Sequence, residues 1–382
     1  MHEALLYQKL PGKKTKCNVC QRRCLIPNGA TGFCKTRINK ERKLYTTIYG
    51  LISSANNDPI EKKPVFHYKP GSLCFSLGTY GCNFRCKFCQ NYDIAYADAY
   101  ELKTQKSRPP CFARRSGQAK LKTTPEEVIK MANNTNTQGI AFTYNEPAIW
   151  LEYSLDCLKL AKDNLTSEES RSLPSHLRGG RMDSSEVNLF TCWVTNGYAT
   201  KEAIDLIAPY LDIYRVDLKS FEDSFYQKLI GIPKAAGVFE TTKYLHDRYP
   251  KIHIECVTNI IPGWNDDPET WRNIAKWIKK ELGPLTPWHV TGYYPALPNP
   301  QLPDYPTPLS TLTAAKKIGQ KEGLAFVYLG NVSSETGENT YCPKCQTLNI
   351  KRSGYVTEIL AVEKKGNRGF CSKCAQDLNL YL

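Results

Sequence analysis

Three cysteines stand at Cys82-x3-Cys86-x2-Cys89, just past a strand-like run, Leu73–Leu77, and a turn, Gly78-Thr79-Tyr80-Gly81. Thiolates are soft ligands that select iron–sulfur clusters, zinc or copper(I). A [4Fe–4S] cubane normally takes four cysteines. Three leave one iron without a protein ligand, and an open coordination position is where a metal does chemistry instead of holding structure. The glycines let the backbone wrap closely around such a core, and Phe88 is placed to shield it. The plainer alternative for three cysteines is a zinc knuckle that lacks one ligand.

Two further groups flank this one. Cys17-x2-Cys20-x3-Cys24-x9-Cys34 encloses a turn-rich loop, Pro27-Asn28-Gly29-Ala30-Thr31-Gly32. Four thiolates on so short a segment fit one zinc ion or one iron–sulfur cluster, and the spacing leaves the two open. Near the end, Cys342-x2-Cys345 and Cys371-x2-Cys374 form two knuckles around a strand-rich segment. That pattern fits a zinc ribbon or a rubredoxin-like iron site. Of the other cysteines, Cys74, Cys192 and Cys256 fall in strand runs and should pack as small hydrophobes, while Cys157 remains unassigned and Cys111 lies in a long connection.

The elements that must position these residues alternate strand and helix. Thr124-Pro125-Glu126-Glu127 is a capping box with proline at the first helical position, so a helix starts at Pro125. Strands follow at Gly139–Thr143, Phe190–Val194, Ile213–Leu218, Ile252–Ile260, His289–Tyr293 and Leu324–Leu329. Helices are predicted at Ala148–Lys162, Lys201–Leu211, within Glu222–His246, from Pro268 to Leu282, and at Leu309–Glu322. Repeated β-α units imply an α/β fold with a parallel sheet and outer helices, here a partial (βα)6 barrel. Ligands of such sheets bind at the carboxyl ends of the strands. Asn145, Glu146, Asn196, Asp217 and Lys219 all lie at such ends. The expected division is 1–71 for an N-terminal four-cysteine module and lead-in, 72–335 for the barrel, and 336–382 for a zinc-ribbon-like module. Two stretches, 98–119 and 166–185, read as insertions, the first as part of a lid and the second as a polar segment.

The net charge of +14 is unevenly placed. Lys13–Lys43 holds ten Lys/Arg against one Glu, and Cys342–Cys374 holds seven against two, which accounts for all of it. Both basic stretches are cysteine-rich. Four thiolates around a dication or a cubane core leave about two negative charges, so the basic residues serve as counter-charge. Nucleic-acid binding by these ends is the alternative use. No apolar run reaches a membrane span and no signal peptide opens the chain, so a soluble cytoplasmic protein with reduced cysteines is expected.

The run from Gly78 through Cys89-Gln90-Asn91, with the flanking cysteines and Asp58-Pro59-Ile60-Glu61-Lys62-Lys63-Pro64, resembles the radical S-adenosylmethionine (SAM) enzymes of the AmmeMemoRadiSam system, relatives of the pyruvate formate-lyase activating enzymes. The resemblance implies a [4Fe–4S] cluster on Cys82, Cys86 and Cys89 with SAM chelated at the open iron. It further implies reductive cleavage to a 5′-deoxyadenosyl radical that abstracts hydrogen, and a one-electron donor of flavodoxin or ferredoxin type. Tyr144-Asn145-Glu146-Pro147 stands where relatives carry Gly-Gly-Glu-Pro, so Glu146 would meet the SAM ammonium. Asn196-Gly197 and Asp217-Leu218-Lys219 match further SAM-contacting stretches, but Val194 replaces an aspartate of the activating enzymes. His67, a lone histidine ahead of a strand, reads as a hydrogen-bonding core or surface residue. The alternatives are a true glycyl-radical activating enzyme acting on a protein, and a zinc-dependent nucleic-acid-binding protein with a silent barrel. The substrate is not legible.

Overall fold

A computed structural model describes residues 1–98, 122–162 and 189–382. The insertions read at 98–119 and 166–185 lie almost wholly outside these residues, as does Cys111. Seven parallel strands form one sheet in chain order: β1 (Leu73–Gly78), β2 (Gly139–Phe142), β3 (Phe190–Thr195), β4 (Ile213–Asp217), β5 (His253–Ile260), β6 (Trp288–Gly292) and β7 (Val327–Gly330). Among the described residues no pairing joins β7 back to the start, so the barrel is open. The strands are almost continuously buried, as parallel strands covered on both faces must be.

Six helices alternate with the strands: α1 (Pro125–Asn134), α2 (Leu151–Lys162), α3 (Lys201–Ile207), α4 (Ala236–Arg248), α5 (Pro268–Glu281) and α6 (Leu309–Lys321). Their starts follow from local chemistry. The Thr124 hydroxyl accepts from Glu127 N at 3.2 Å while the Glu127 carboxylate accepts from Thr124 N at 2.7 Å, which completes the predicted capping box. Thr200 caps α3 and Asp267 caps α5 by accepting from backbone N–H groups of the first turn, without the reciprocal bond. The helix expected from Ala148 is divided into a 3-10 turn, Pro147–Trp150, and α2, because Pro147 sits at the first turn and Glu146 caps Ala148 N.

An eighth strand, Ser54–Pro59, pairs antiparallel with β1 at the sheet edge. Before it, two small three-stranded sheets carry the first four-cysteine group. They are fixed to α2 by Arg37, whose guanidinium donates to both Glu152 oxygens at 2.8 Å, each side chain 2% exposed. The tail forms two more small sheets, which pack on the opposite, amino-terminal end of the strands through Phe66, Phe326, Tyr328, Ile350, Leu378 and Leu380.

His67 ties the tail to that end. Its Nδ1 donates to the Leu378 carbonyl at 2.8 Å, so Nε2, 2.6 Å from the Tyr328 hydroxyl, is the acceptor. It is the core hydrogen-bonder that the sequence suggested. Burial lowers its pKa from 6.5 to about 3. A histidine so depressed is protonated more readily in the unfolded chain, so its contribution is intact above pH 6.5 and lost as the pH falls toward 3. Between pH 6.5 and 5 the loss is about 2 kcal/mol. Thermal unfolding followed by circular dichroism at pH 7 and pH 5 should show this drop, and a His67→Gln variant should show a correspondingly smaller one.

Candidate functional site

β1 ends at Gly78, and the chain turns over the carboxyl end of the sheet to present Cys82, Cys86 and Cys89. Each thiol is partly exposed, and the three lie within one another's electrostatic field. Burial, then the neighbouring Glu146 carboxylate, pushes the Cys82 thiol up to about 12. Bare thiolates are disfavoured there, and a cationic metal core would reverse that balance by deprotonating its ligands.

The loop is held from several sides. Arg85 donates to the carbonyls of Cys82 and Phe84 at 2.7 and 2.8 Å, and its own N–H pairs with Ile230 O at 2.9 Å. Arg22 donates to Asn83 O, and the Tyr96 hydroxyl donates to Cys86 O at 2.6 Å. Both polar atoms of the Asn145 amide are engaged: Nδ2 donates to Gly81 O at 2.7 Å and Oδ1 accepts from Thr79 N at 3.2 Å. Its side chain thus braces the loop. Phe88, 7% exposed, sits among the loop, Lys219 and Phe225.

The ends of β2, β3 and β4 supply charge. Glu146, 2% exposed, accepts from Ala148 N, from the Thr195 hydroxyl and from Asn196 N at 2.8–3.0 Å. Burial nonetheless pushes its carboxyl up to about 7. Asn196 Nδ2 donates to Asn83 Oδ1 at 2.8 Å, which joins the end of β3 to the cysteine loop. Asp217 accepts from Arg215 and from Lys219 Nζ, the latter at 2.9 Å. Burial opposes its ionisation, but these two cations hold its carboxyl below the ordinary range. The Lys219 ammonium also acts on Cys86 and Cys89. A carboxylate and an ammonium therefore face the three thiols, the complement of an amino-acid headgroup.

The outer groups differ from each other. In the tail, Cys342 and Cys374 Sγ are 3.5 Å apart, Cys345 and Cys371 Sγ 3.7 Å, and all four lie within 4.8 Å of one another. Zinc–sulfur bonds of about 2.3 Å place tetrahedral sulfurs about 3.8 Å apart, so this group fits one metal ion. Cys17, Cys20, Cys24 and Cys34 line one cleft with Arg22, Arg37 and Asn83 but do not draw together so tightly. Cys74, Cys157, Cys192 and Cys256 are fully buried among apolar side chains. Sequence reasoning missed Arg22, Arg85, Asn83 and Arg215. Arg215 was accessible to it, since residues two apart on a strand share a face and Asp217 was already a candidate.

Three cysteines thus stand at the mouth of an open parallel α/β barrel, with a carboxylate and an ammonium beside them. Residues 76–278 match the Radical SAM superfamily, and the chain belongs to that family. Within it, the relationship runs to the activating enzymes. Over 110 residues the chain is 29% identical to the pyruvate formate-lyase 1-activating enzyme of Escherichia coli K12, a match covering 27% of this chain and 44% of that enzyme. Over 108 residues it is 28% identical to the isethionate sulfite-lyase activating enzyme of Oleidesulfovibrio alaskensis, covering 28% of this chain and 34% of that one. A full-length relative, an uncharacterized protein of Methanocaldococcus jannaschii, is 33% identical over 382 residues and covers all of both chains. No helix among the described residues is long and apolar enough to cross a membrane.

Proposed function

We propose that this radical SAM enzyme holds a [4Fe–4S] cluster on Cys82, Cys86 and Cys89, binds SAM at the open iron, and cleaves it reductively to abstract hydrogen from a substrate. The observation that carries the reading is the trio of neighbouring thiols at the carboxyl end of β1, faced by Glu146 and Lys219. Bound there, a reduced cluster supplies the one-electron reduction of the sulfonium that yields methionine and a 5′-deoxyadenosyl radical. The chain's own residues bind and orient. Glu146 receives the SAM ammonium, Lys219 the SAM carboxylate, and Asp217 is held ionised by Arg215 and Lys219 for a ribose hydroxyl. Asn196 and Asn145 fix the loop against the strand ends. Phe88, itself buried, covers part of the loop between Cys86 and Cys89. The electron donor is a flavodoxin- or ferredoxin-type protein. Anaerobic reconstitution followed by reduction with SAM present tests the reading: 5′-deoxyadenosine should form, and its absence from protein with a full iron complement would refute the assignment.

A second reading, activation of a glycyl-radical enzyme, draws on the activating-enzyme matches. Val194 at the end of β3, where those enzymes carry aspartate, speaks against it.

The raised pKa of Glu146 gives this site a pH signature. A carboxyl that titrates near 7 is neutral below that pH and cannot pair with an ammonium. Affinity for SAM should be full above pH 7 and fall about tenfold for each unit below it. A Glu146→Gln variant should bind SAM roughly ten- to a hundredfold more weakly at pH 8, with a flat profile between pH 6 and 8. Equilibrium dialysis with the reconstituted protein reads both.

A further inference from the structure

The cleft of the first cysteine group is lined by the side chains of Cys17, Cys20, Cys24 and Cys34, with Val19, Ile26 and Ile149 as apolar walls. The four thiols lie in one another's electrostatic field. Yet among the described residues only the tail cysteines bring three or more ligand atoms within 4.8 Å of one another. The same structure therefore displays two ways of arranging four cysteines. One has the compactness of a tetrahedral zinc site. In the other, no three sulfurs lie within 4.8 Å of one another. A cubane takes sulfurs more widely spaced than one ion does, because each cysteine binds a different iron and the inorganic core lies between them.

The lining fits such a core in two further respects. Four thiolates on a [4Fe–4S] core of charge +2 leave about two negative charges, and Arg22 lines the same cleft, as does Arg37, whose charge is already matched by Glu152. Arg37 is 1% exposed, and the Arg22 guanidinium is stacked 3.4 Å over the Phe33 ring. Asn83 also lines the cleft; it is fully buried, and its Nδ2 has no hydrogen-bond partner among the described residues. An unsatisfied buried amide is costly, and cluster sulfurs are acceptors for such donors.

We infer that Cys17, Cys20, Cys24 and Cys34 ligate a second [4Fe–4S] cluster, fully coordinated by protein. It lies against the loop of the first, since Asn83 is the neighbour of Cys82 and the Cys34 carbonyl packs on Gly81. The assignment of the four ligands draws on neither SAM nor the Cys82 trio.

The test is metal and sulfide content of the full chain, reconstituted anaerobically with iron and sulfide, together with Mössbauer and electron paramagnetic resonance (EPR) spectra. The wild-type chain should carry about eight iron and about eight sulfide, with about one zinc in the tail. A Cys82→Ala/Cys86→Ala/Cys89→Ala triple variant should keep about four iron with a [4Fe–4S] spectrum that SAM does not alter. A Cys17→Ala/Cys20→Ala/Cys24→Ala/Cys34→Ala variant should keep a spectrum that SAM does alter. Zinc in place of iron in the triple variant, or a [2Fe–2S] spectrum, overturns the inference and leaves the SAM reading standing. If the quadruple variant does not fold, the triple variant decides the question by itself.

Discussion

Alanine at any one of Cys82, Cys86 or Cys89 should abolish 5′-deoxyadenosine formation, by a factor of about a thousand or more, which corresponds to at least about 4 kcal/mol of transition-state stabilisation. Two thiolates cannot hold the three irons that the loop must anchor, so the loss is of the cofactor and not of a contact to it. The fold should be nearly indifferent. The three side chains are half-buried, and among the described residues the Cys82 sulfur accepts one backbone hydrogen bond, from Phe84 N at 3.4 Å. Iron should fall by about four atoms per chain while circular dichroism and tail metal stay as in the wild type. Cys192→Ala is the control. That thiol is fully buried in β3 and away from the loop, so it should lower stability by about 1–2 kcal/mol and leave product formation intact. A single-cysteine variant of the trio that still makes product would refute the ligand assignment.

Sequence carried the barrel because its elements signal themselves locally. Capping chemistry at Thr124, Thr200 and Asp267 set helix starts, and unbroken apolar runs marked the buried parallel strands. The site residues were legible for the same reason: a polar residue directly after such a run lies at the sheet's carboxyl end. The edge strand Ser54–Pro59 was not legible. Its sequence, Ser-Ala-Asn-Asn-Asp-Pro, has no apolar alternation, and its conformation comes from pairing with β1. Its Asp58 carboxylate is fixed by Lys62, Lys63 and the Tyr144 hydroxyl, the last at 2.7 Å. Tyr144 also explains how the chain dispenses with a glycine that its relatives carry there. It keeps the left-handed backbone, φ +69°, which costs a non-glycine about 1–2 kcal/mol. Its hydroxyl, between Asp58 and Asn56, compensates. That exchange joins two segments 86 residues apart, and no local pattern announces it. The arginines around the cysteines were equally hidden, because composition shows their number and not what they face.

Gly81→Ala should damage both cysteine sites at once. Gly81 has φ +88°, and a Cβ built there would lie 2.5 Å from the Cys34 carbonyl oxygen and 2.5 Å from Thr36 Cγ2. The backbone cannot retreat, since Gly81 N donates to Ile94 O at 2.9 Å and Gly81 O accepts from Asn145 at 2.7 Å. Left-handed strain on alanine and overpacking together amount to about 3 kcal/mol or more. The displacement falls on Cys34 to one side and Cys82 to the other, so iron should drop at both sites and SAM cleavage should fall at least about a hundredfold. Gly263→Ala separates the two causes. That residue has φ +77° but, among the described residues, no atom within 4 Å of its added Cβ, so it carries the backbone strain alone, about 1–2 kcal/mol, with full iron. If Gly81→Ala kept its iron and behaved as Gly263→Ala does, the close approach of Cys34 to the Cys82 loop would not be the constraint that makes glycine necessary there. The two sites would then be separable, and the N-terminal module could be altered without disturbing the loop that begins at Gly81.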